Sequence, residues 1–231
     1  MRAPPLFEVT APATVGNATR CTTAANVRAL IGSPTGDDTL ITSLIDRASL
    51  DMANYCGLAR DVAGALPTFG KETCQATWFI DSFMGGDRGI PLMRPHPLRL
   101  PWRKPIAITT VTENGVDLTE GVDFVLEVGA LLYRLMADAR IPWSFGKIVV
   151  VYEGGYDLSS SIPPDLEKAA IEQVKYAYQT RRRDMALKSE TIPDIRQVSY
   201  ATPMAGGILG DSGLLLTVES DLASYKDWTS A

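Results

Sequence analysis

An Asn-Gly pair at positions 114 and 115 restricts the fold of this chain more than any other feature. A type I′ turn needs positive φ at both central residues, and these two residue types reach it with the least strain, so the pair predicts a tight β-hairpin. The flanking sequence supplies strands. Ile106 to Thr112 enters the turn, Phe124 to Val128 and Leu131 to Leu135 follow around Gly129-Ala130, and Lys147 to Tyr152 closes the run before Gly154-Gly155. The expectation is an antiparallel meander that organises the whole stretch from Asn114 to Asp165. It leads straight into a helix. Ser161-Ile162-Pro163-Pro164-Asp165-Leu166-Glu167 places proline at the first helical position and two acids at the positive end of the helix dipole. Leu166, Ala170, Val174, Ala177 and Tyr178 form one apolar stripe, which predicts a helix reaching about Arg183.

Upstream, residues 1 to 20 are rich in Pro, Ala and Thr without periodicity and read as an extended arm or disordered lead-in. Thr22 or Thr23 can cap a short helix that ends before Gly32-Ser33-Pro34, and Asp37-Asp38 start a second one. In that second helix Ile41, Leu44, Ile45, Ala48, Met52 and Tyr55 share a face, with Gly57 placed for a left-handed cap. Asp61 to Lys71 is loop-like, and Thr77 to Phe83 has strand composition. Between Ile90 and Pro105 five prolines interrupt any ladder, so the segment runs at a sheet edge or as an extended crossing strand.

Downstream, residues 190 to 213 carry Pro193, Pro203, Gly206, Gly207, Gly210 and Gly213 and cannot form one regular element. Apolar islands follow at Leu214-Leu215-Leu216 and Leu222 to Trp228. An apolar, aromatic tail implies a docking surface, on the same chain or on another. The expected fold class is therefore α+β: a helical layer packed on a small antiparallel β-meander, with extended N- and C-terminal arms. Its parts are an N-terminal arm (1–21), a core of helices plus meander (22–189), and a linker with a C-terminal docking arm (190–231).

The residues offer little to chemistry. Cys21, Cys56 and Cys74 lack the close pairing and accompanying histidines of a zinc site and read as buried free thiols in a reducing compartment. His96, the one histidine, sits between prolines without an orienting carboxylate or a nucleophile nearby, and reads as a structural or surface residue. There is no nucleophile elbow and no P-loop, and Gly206-Gly207-Ile208-Leu209-Gly210 lacks the spacing and βαβ context of a dinucleotide turn. Asp37-Asp38 reads as a helix cap, and no pair of carboxylates stands out as acid and base. No catalytic residue, cofactor site or metal site is expected. A net charge of −5 excludes a protein whose whole surface grips nucleic acid. The start of the chain lacks a signal-peptide core, and no window approaches a membrane span, so a cytosolically made protein without membrane contact is expected. Arg181-Arg182-Arg183 lies at the negative end of the long helix, either as a solvated cap or as a contact with a subunit or nucleic acid.

The order of elements resembles a known family. Two N-terminal helices precede Leu-x-Leu-Pro-x-x-Pro-Ile (Leu98 to Ile106), and an Asn-Gly-Val-x-Leu hairpin with Gly-x-Asp-Phe-Val follows (Asn114 to Val125). Next come Leu-Tyr-Arg-Leu (Leu132 to Leu135), Gly-Lys-Ile-Val-Val-Val-Tyr-x-x-Gly-Tyr (Gly146 to Tyr156) and Ile-Pro-Pro-Asp-Leu-x-x-Ala-Ala (Ile162 to Ala170). Over roughly residues 22 to 200 this series is similar to the head-to-tail connector proteins of long-tailed phages and the related adaptors of gene transfer agents. The segments before Thr22 and around Gly85 to His96 have no counterpart in that pattern.

The resemblance implies a structural protein of the virion neck, made in the host cytoplasm. Members form a homo-oligomeric ring, commonly of twelve subunits, docked beneath the portal protein and facing a stopper or tail-proximal protein. DNA passes through the channel without sequence-specific binding. By the same resemblance the C-terminal segment is an arm that engages the portal. Its apolar residues here are Leu214, Leu215, Leu216, Leu222, Tyr225 and Trp228, and Arg181, Arg182 and Arg183 are candidates for the subunit interface. Two other classes remain open: a carbohydrate-binding or enzyme-accessory β module using Trp102 and Trp143, and a metal-assisted hydrolase with dispersed carboxylates.

Overall fold

A computed structural model of the chain describes residues 5–13, 18–32, 35–80, 96–101, 106–181, 189–192, 196–199, 209–210 and 212–226. The chain is α+β, and its contacts divide it into two compact units: 1–13 with 58–156, and 14–57 with 157–231.

The first unit is built from antiparallel strands. A five-stranded sheet takes the order β1 (Leu6–Ala11), β2 (Glu72–Ile80), β9 (Gly146–Gly154), β4 (Ile106–Glu113), β5 (Val116–Leu118). A second sheet takes the order β3 (Leu98–Arg99), β7 (Leu131–Met136), β6 (Phe124–Glu127), with β8 (Ala139–Ile141) also paired to β7. The Asn-Gly turn forms as expected, with φ of 53° at Asn114 and 82° at Gly115, and joins Glu113 to Val116 in β4 and β5. Asn114 also reaches beyond its turn. Its backbone N–H donates to the Lys147 carbonyl (2.8 Å), its Oδ1 accepts from the Lys147 N–H (2.9 Å), and its Nδ2 donates to the Phe145 carbonyl (2.8 Å). The hairpin tip is thereby bonded to the start of β9.

The predicted strands exist, but they do not form one meander. After β5 the chain leaves the first sheet, builds β6, β7 and β8 in the second, and returns as β9 between β2 and β4. Burial supplies the reason. Ile148, Val150 and Tyr152 alternate along β9, all three without solvent exposure, and they meet Trp78, Ala76 and Cys74 of β2 in register. Each such side chain contributes about 1.5–3 kcal/mol when fully buried, and a central strand also pairs the backbone groups on both of its edges. Leu98, Leu100, Phe124, Leu132 and Trp143 belong to the same core.

Two expectations change in this unit. The N-terminal segment, expected as an arm, contributes β1 at the sheet edge, because Phe7 buries its ring opposite Ala76. The edge is tied further by the Val62 N–H donating to the Phe7 carbonyl and the Val9 N–H to Asp61 Oδ1, both at 3.1 Å. The strand expected from Thr77 begins earlier, at Glu72, where Cys74 and Ala76 continue the inward alternation. Leu98–Arg99 occupies an edge of the second sheet, as the proline content requires.

The second unit holds α1 (Ala24–Ile31), α2 (Asp38–Tyr55), α3 (Pro164–Thr180) and α4 (Leu216–Asp221), with 3-10 turns at Thr35–Asp37 and Leu222–Tyr225. Val27, Ile41, Ile45, Ala48 and Val174 pack as one cluster joining α1, α2 and α3. Thr23 caps α1: its Oγ1 accepts from the Asn26 N–H at 3.2 Å, and Gly32 closes the helix in the left-handed conformation. Replacing Thr23 by Ala is expected to lower stability by about 1 kcal/mol, measured by urea denaturation. Helix α3 starts at the Pro-Pro pair but ends at Thr180, short of Arg183. The Thr180 hydroxyl donates back to the Tyr176 carbonyl (2.8 Å), a side-chain bond that competes with the helical ladder. Residues 190–213, expected not to form one regular element, contain two short pieces: β10 (Ser189–Ile192, which begins one residue earlier) pairs with β11 (Arg196–Ser199).

Candidate interaction surfaces

Several of the described acids hold structure together. In the first unit the Glu113 carboxylate accepts from Arg134 Nε (3.0 Å) and from the Ser144 N–H (2.7 Å). Arg134 Nη1 also donates to the carbonyls of Asp123 (2.7 Å) and Leu135 (2.8 Å) and faces Asp123 Oδ1 at 3.3 Å. The Glu113 and Arg134 side chains are 8% and 16% exposed, so this cluster clamps β4 to β7 inside the protein. Glu72 accepts from the Ala13 N–H (3.2 Å). In the second unit Glu167 accepts from Asn26 Nδ2 (2.6 Å) and the Thr22 hydroxyl (3.3 Å), which fastens α3 to the start of α1. Asp157 lies in a turn where Ser159 and Ser160 donate to it and hold its carboxyl below the usual carboxylate range. Among the described residues no group of three or more His, Cys, Asp or Glu side chains could hold a metal ion.

Asp37 departs from its expected capping role. Its side chain makes no cap bond to α2 and instead accepts from the Tyr178 hydroxyl and from Arg181 Nη2 (3.4 Å). This ties the start of α2 to the end of α3. Arg181 is engaged inside its own unit: Nη1 donates to the Tyr178 carbonyl at 2.6 Å, and the guanidinium lies 3.5 Å from the Tyr178 ring centroid. Arg182 and Arg183 lie outside the described residues.

All three cysteines are free and buried. Burial pushes the Cys21 and Cys56 thiols up to about 12, so both stay protonated and unreactive at neutral pH. His96 is exposed. Trp143, expected as part of an aromatic platform, is 4% exposed, and its indole N–H donates to the Leu132 carbonyl at 3.4 Å. A buried ring cannot stack on a glycan. Trp102, the other member of that platform, lies outside the described residues.

The apolar tail is seated on its own chain. Leu214, Leu215, Val218 and Leu222 are buried, Tyr225 is half-buried, and only Leu216 among the described tail leucines is open, at 51% exposure. Trp228 lies outside the described residues. The seat is α3, against which α4 and the following turn pack. The Leu215 N–H donates to Gln173 Oε1 (3.0 Å), and Gln173 Nε2 to the Gly213 carbonyl (3.4 Å). Thr217 donates to Glu172 (3.1 Å), Lys168 to Asp221 (2.8 Å), and the Tyr225 hydroxyl to Asp165 (2.7 Å). The polar receivers of the tail escaped the sequence reading. Asp165, Lys168, Glu172 and Gln173 share a helix face, but solvated faces carry the same kind of residue, so no local signal marks them.

The fold and these contacts define an α+β chain whose described acids, thiols and buried rings serve structure. No family model matches the chain, and no curated protein matches it. Solved structures similar to it include the neck of an empty GTA particle computed with C6 symmetry, at 14% identity and a TM-score of 0.48, over 92% of this chain and 94% of that one. The neck of the native GTA particle computed with C12 symmetry matches at 12% identity and 0.47, over 80% and 88%. The virion of the native gene transfer agent particle matches at 12% and 0.43, over 81% and 89%.

Proposed function

We propose that this chain is a structural adaptor of a virion neck, a ring of twelve copies beneath the portal vertex of a DNA-filled head. It contacts the portal on one side and a stopper or tail-proximal protein on the other. The order of its motifs carries the reading: the segments that resemble connector proteins fall, one after another, on β3, the β4–β5 hairpin, β6, β7, β9 and the start of α3. The role is non-catalytic, in keeping with Glu113, Glu167 and Asp37, whose carboxylates are occupied by structural partners. DNA passes through the ring without tight binding, since phosphate affinity requires clustered Lys and Arg and the chain carries a net charge of −5. The C-terminal segment serves the portal contact, and Arg181 to Arg183 serve the contact between copies.

Mixing the purified chain with tailless, DNA-filled heads and imaging by negative-stain microscopy tests the reading. Ring density at the portal vertex is the expected result; bare vertices at saturating protein overturn it. The Arg181→Ala, Arg182→Ala, Arg183→Ala variant is expected to reduce the fraction of occupied vertices by about tenfold, on the scale of an ion-pair cluster at an interface. Undiminished occupancy would leave the triplet as a helix cap alone.

A further inference from the structure

We propose that Asn114 is a gated deamidation site: the seat that β9 offers its side-chain amide keeps the residue intact while the hairpin tip is closed, and conversion of the amide to an acid unlatches the tip. The sequence supplies the reactive pair. Of the four asparagines in the chain, Asn17, Asn26 and Asn54 precede Ala18, Val27 and Tyr55, whose side chains hinder attack by the following backbone nitrogen; Asn114 alone precedes glycine. Asn114 and Gly115 are both exposed, so water and hydroxide reach them. Hydroxide removes the Gly115 amide proton, and the nitrogen bonds to Asn114 Cγ. The Cγ–Nδ2 bond then breaks, and Nδ2 leaves as ammonia with a proton from water. Water opens the five-membered imide at either carbonyl, giving aspartate or its backbone-extended isomer. No other reactant enters.

The closed tip resists this reaction. Ring closure requires Asn114 Cγ to turn onto the Gly115 nitrogen, with ψ rotated away from the value that a type I′ turn holds. Both ends of the amide are fixed elsewhere: Oδ1 accepts from the Lys147 N–H (2.9 Å), and Nδ2 donates to the Phe145 carbonyl (2.8 Å). Gly146, between those two residues, makes room for it. A Cβ there would stand 2.0 Å from Asn114 Oδ1 and 2.9 Å from Cγ, so the amide occupies the space that a side chain would fill. The seat fits an amide and not an acid. A carboxylate has no hydrogen to give the Phe145 carbonyl and sets two acceptor oxygens against each other. The isomer lengthens the backbone of the turn and cannot keep Glu113 opposite Val116. Either product therefore stays out of the seat and adds a negative charge to the exposed tip.

Peptide mass spectrometry on the full chain, held folded in buffer and unfolded in urea at one pH and temperature, provides the first test. Loss of the Asn114 amide is expected to run about tenfold slower in the folded chain, the scale set by two hydrogen bonds that must break first. Equal rates overturn the gate. Gly146→Ala tests the seat itself, since its Cβ displaces the amide and leaves Asn114-Gly115 untouched. This variant, its fold checked by circular dichroism, is expected to deamidate about tenfold faster than the folded unsubstituted chain, and an unchanged rate overturns the proposal. Asn114→Asp carries the product's carboxylate on an unaltered backbone and tests the unlatching whether or not Gly146→Ala folds. Its Lys147 amide is expected to exchange with solvent deuterium about tenfold faster than that of the unsubstituted chain. Exchange at the same rate would mean that the acid is seated as the amide is, and the proposal falls.

Discussion

The Gly155→Ala chain is expected to lose about 3–5 kcal/mol of stability, a large share of what a domain of this size holds in reserve. Two costs combine at this position. Gly155 has φ of 100°, where an L side chain is strained by about 1–3 kcal/mol. A Cβ there would also lie 2.2 Å from the Gly70 carbonyl oxygen, which is backbone and cannot swing aside. Relief requires parting the two segments. That breaks the bond from the Tyr156 N–H to the Phe69 carbonyl (2.8 Å) and the parallel bridge between Gly70 and Tyr156, and an orphaned buried group costs about 1–3 kcal/mol. Gly64→Ala is the control, because Gly64 has φ of 90° and nothing within 4 Å of its added Cβ. Urea midpoints of the two variants separate strain from collision. Equal losses would show that the approach of Gly155 to Gly70 carries no cost of its own.

Glu113→Ala is expected to cost about 2–4 kcal/mol, somewhat less than the usual cost of breaking a buried ion pair, because Asp123 remains beside the stranded Arg134. The loss has two sources. Arg134 keeps its charge inside the protein with one carboxylate fewer, and the Ser144 N–H loses its acceptor. Removing both partners is a different experiment. Glu113→Ala with Arg134→Met leaves no orphaned charge, and this double variant is expected to recover about half of the loss, since an apolar replacement of a buried pair is often neutral. A double-mutant cycle by urea denaturation reads the coupling directly. Additive losses would mean that the clamp between β4 and β7 rests on packing alone.

Both sensitive positions were partly legible. Gly154-Gly155 was readable as the end of a strand, because glycine punctuates local structure. The Gly70 carbonyl that makes the position intolerant lies far away in sequence, and no local pattern announces it. Glu113 falls just past the predicted strand Ile106 to Thr112, where nothing local distinguishes it. Its burial follows from Arg134 arriving on a strand of the other sheet. Trp143 shows the same limit from the apolar side: it read as an exposed aromatic, whereas Leu132 on β7 supplies the carbonyl that lets the indole go inside.

The functional surfaces divide along the same line. That the tail needs a dock was legible from its leucines, since apolar side chains at a terminus must be covered. That α3 is this dock was not legible. Residues 212–226 and α3 are brought together only by folding, and the side chains that hold them, Lys168 and Gln173 among them, are of types common on any solvated helix.

By itself the sequence determined where the main turns fall and where the first three helices begin. The Asn114-Gly115 turn, the Thr23 cap and the Pro-Pro start of α3 all follow from φ/ψ and capping preferences within a few residues. Only the tertiary structure decided which strands pair and where the acids, rings and tail end up. Loop closure discriminates weakly, its cost rising only as the logarithm of loop length, so partners are selected by total burial over the whole chain. For this reason β9 pairs with β2 and β4 across the sequence, although the hairpins nearest to it suggested a simpler neighbour.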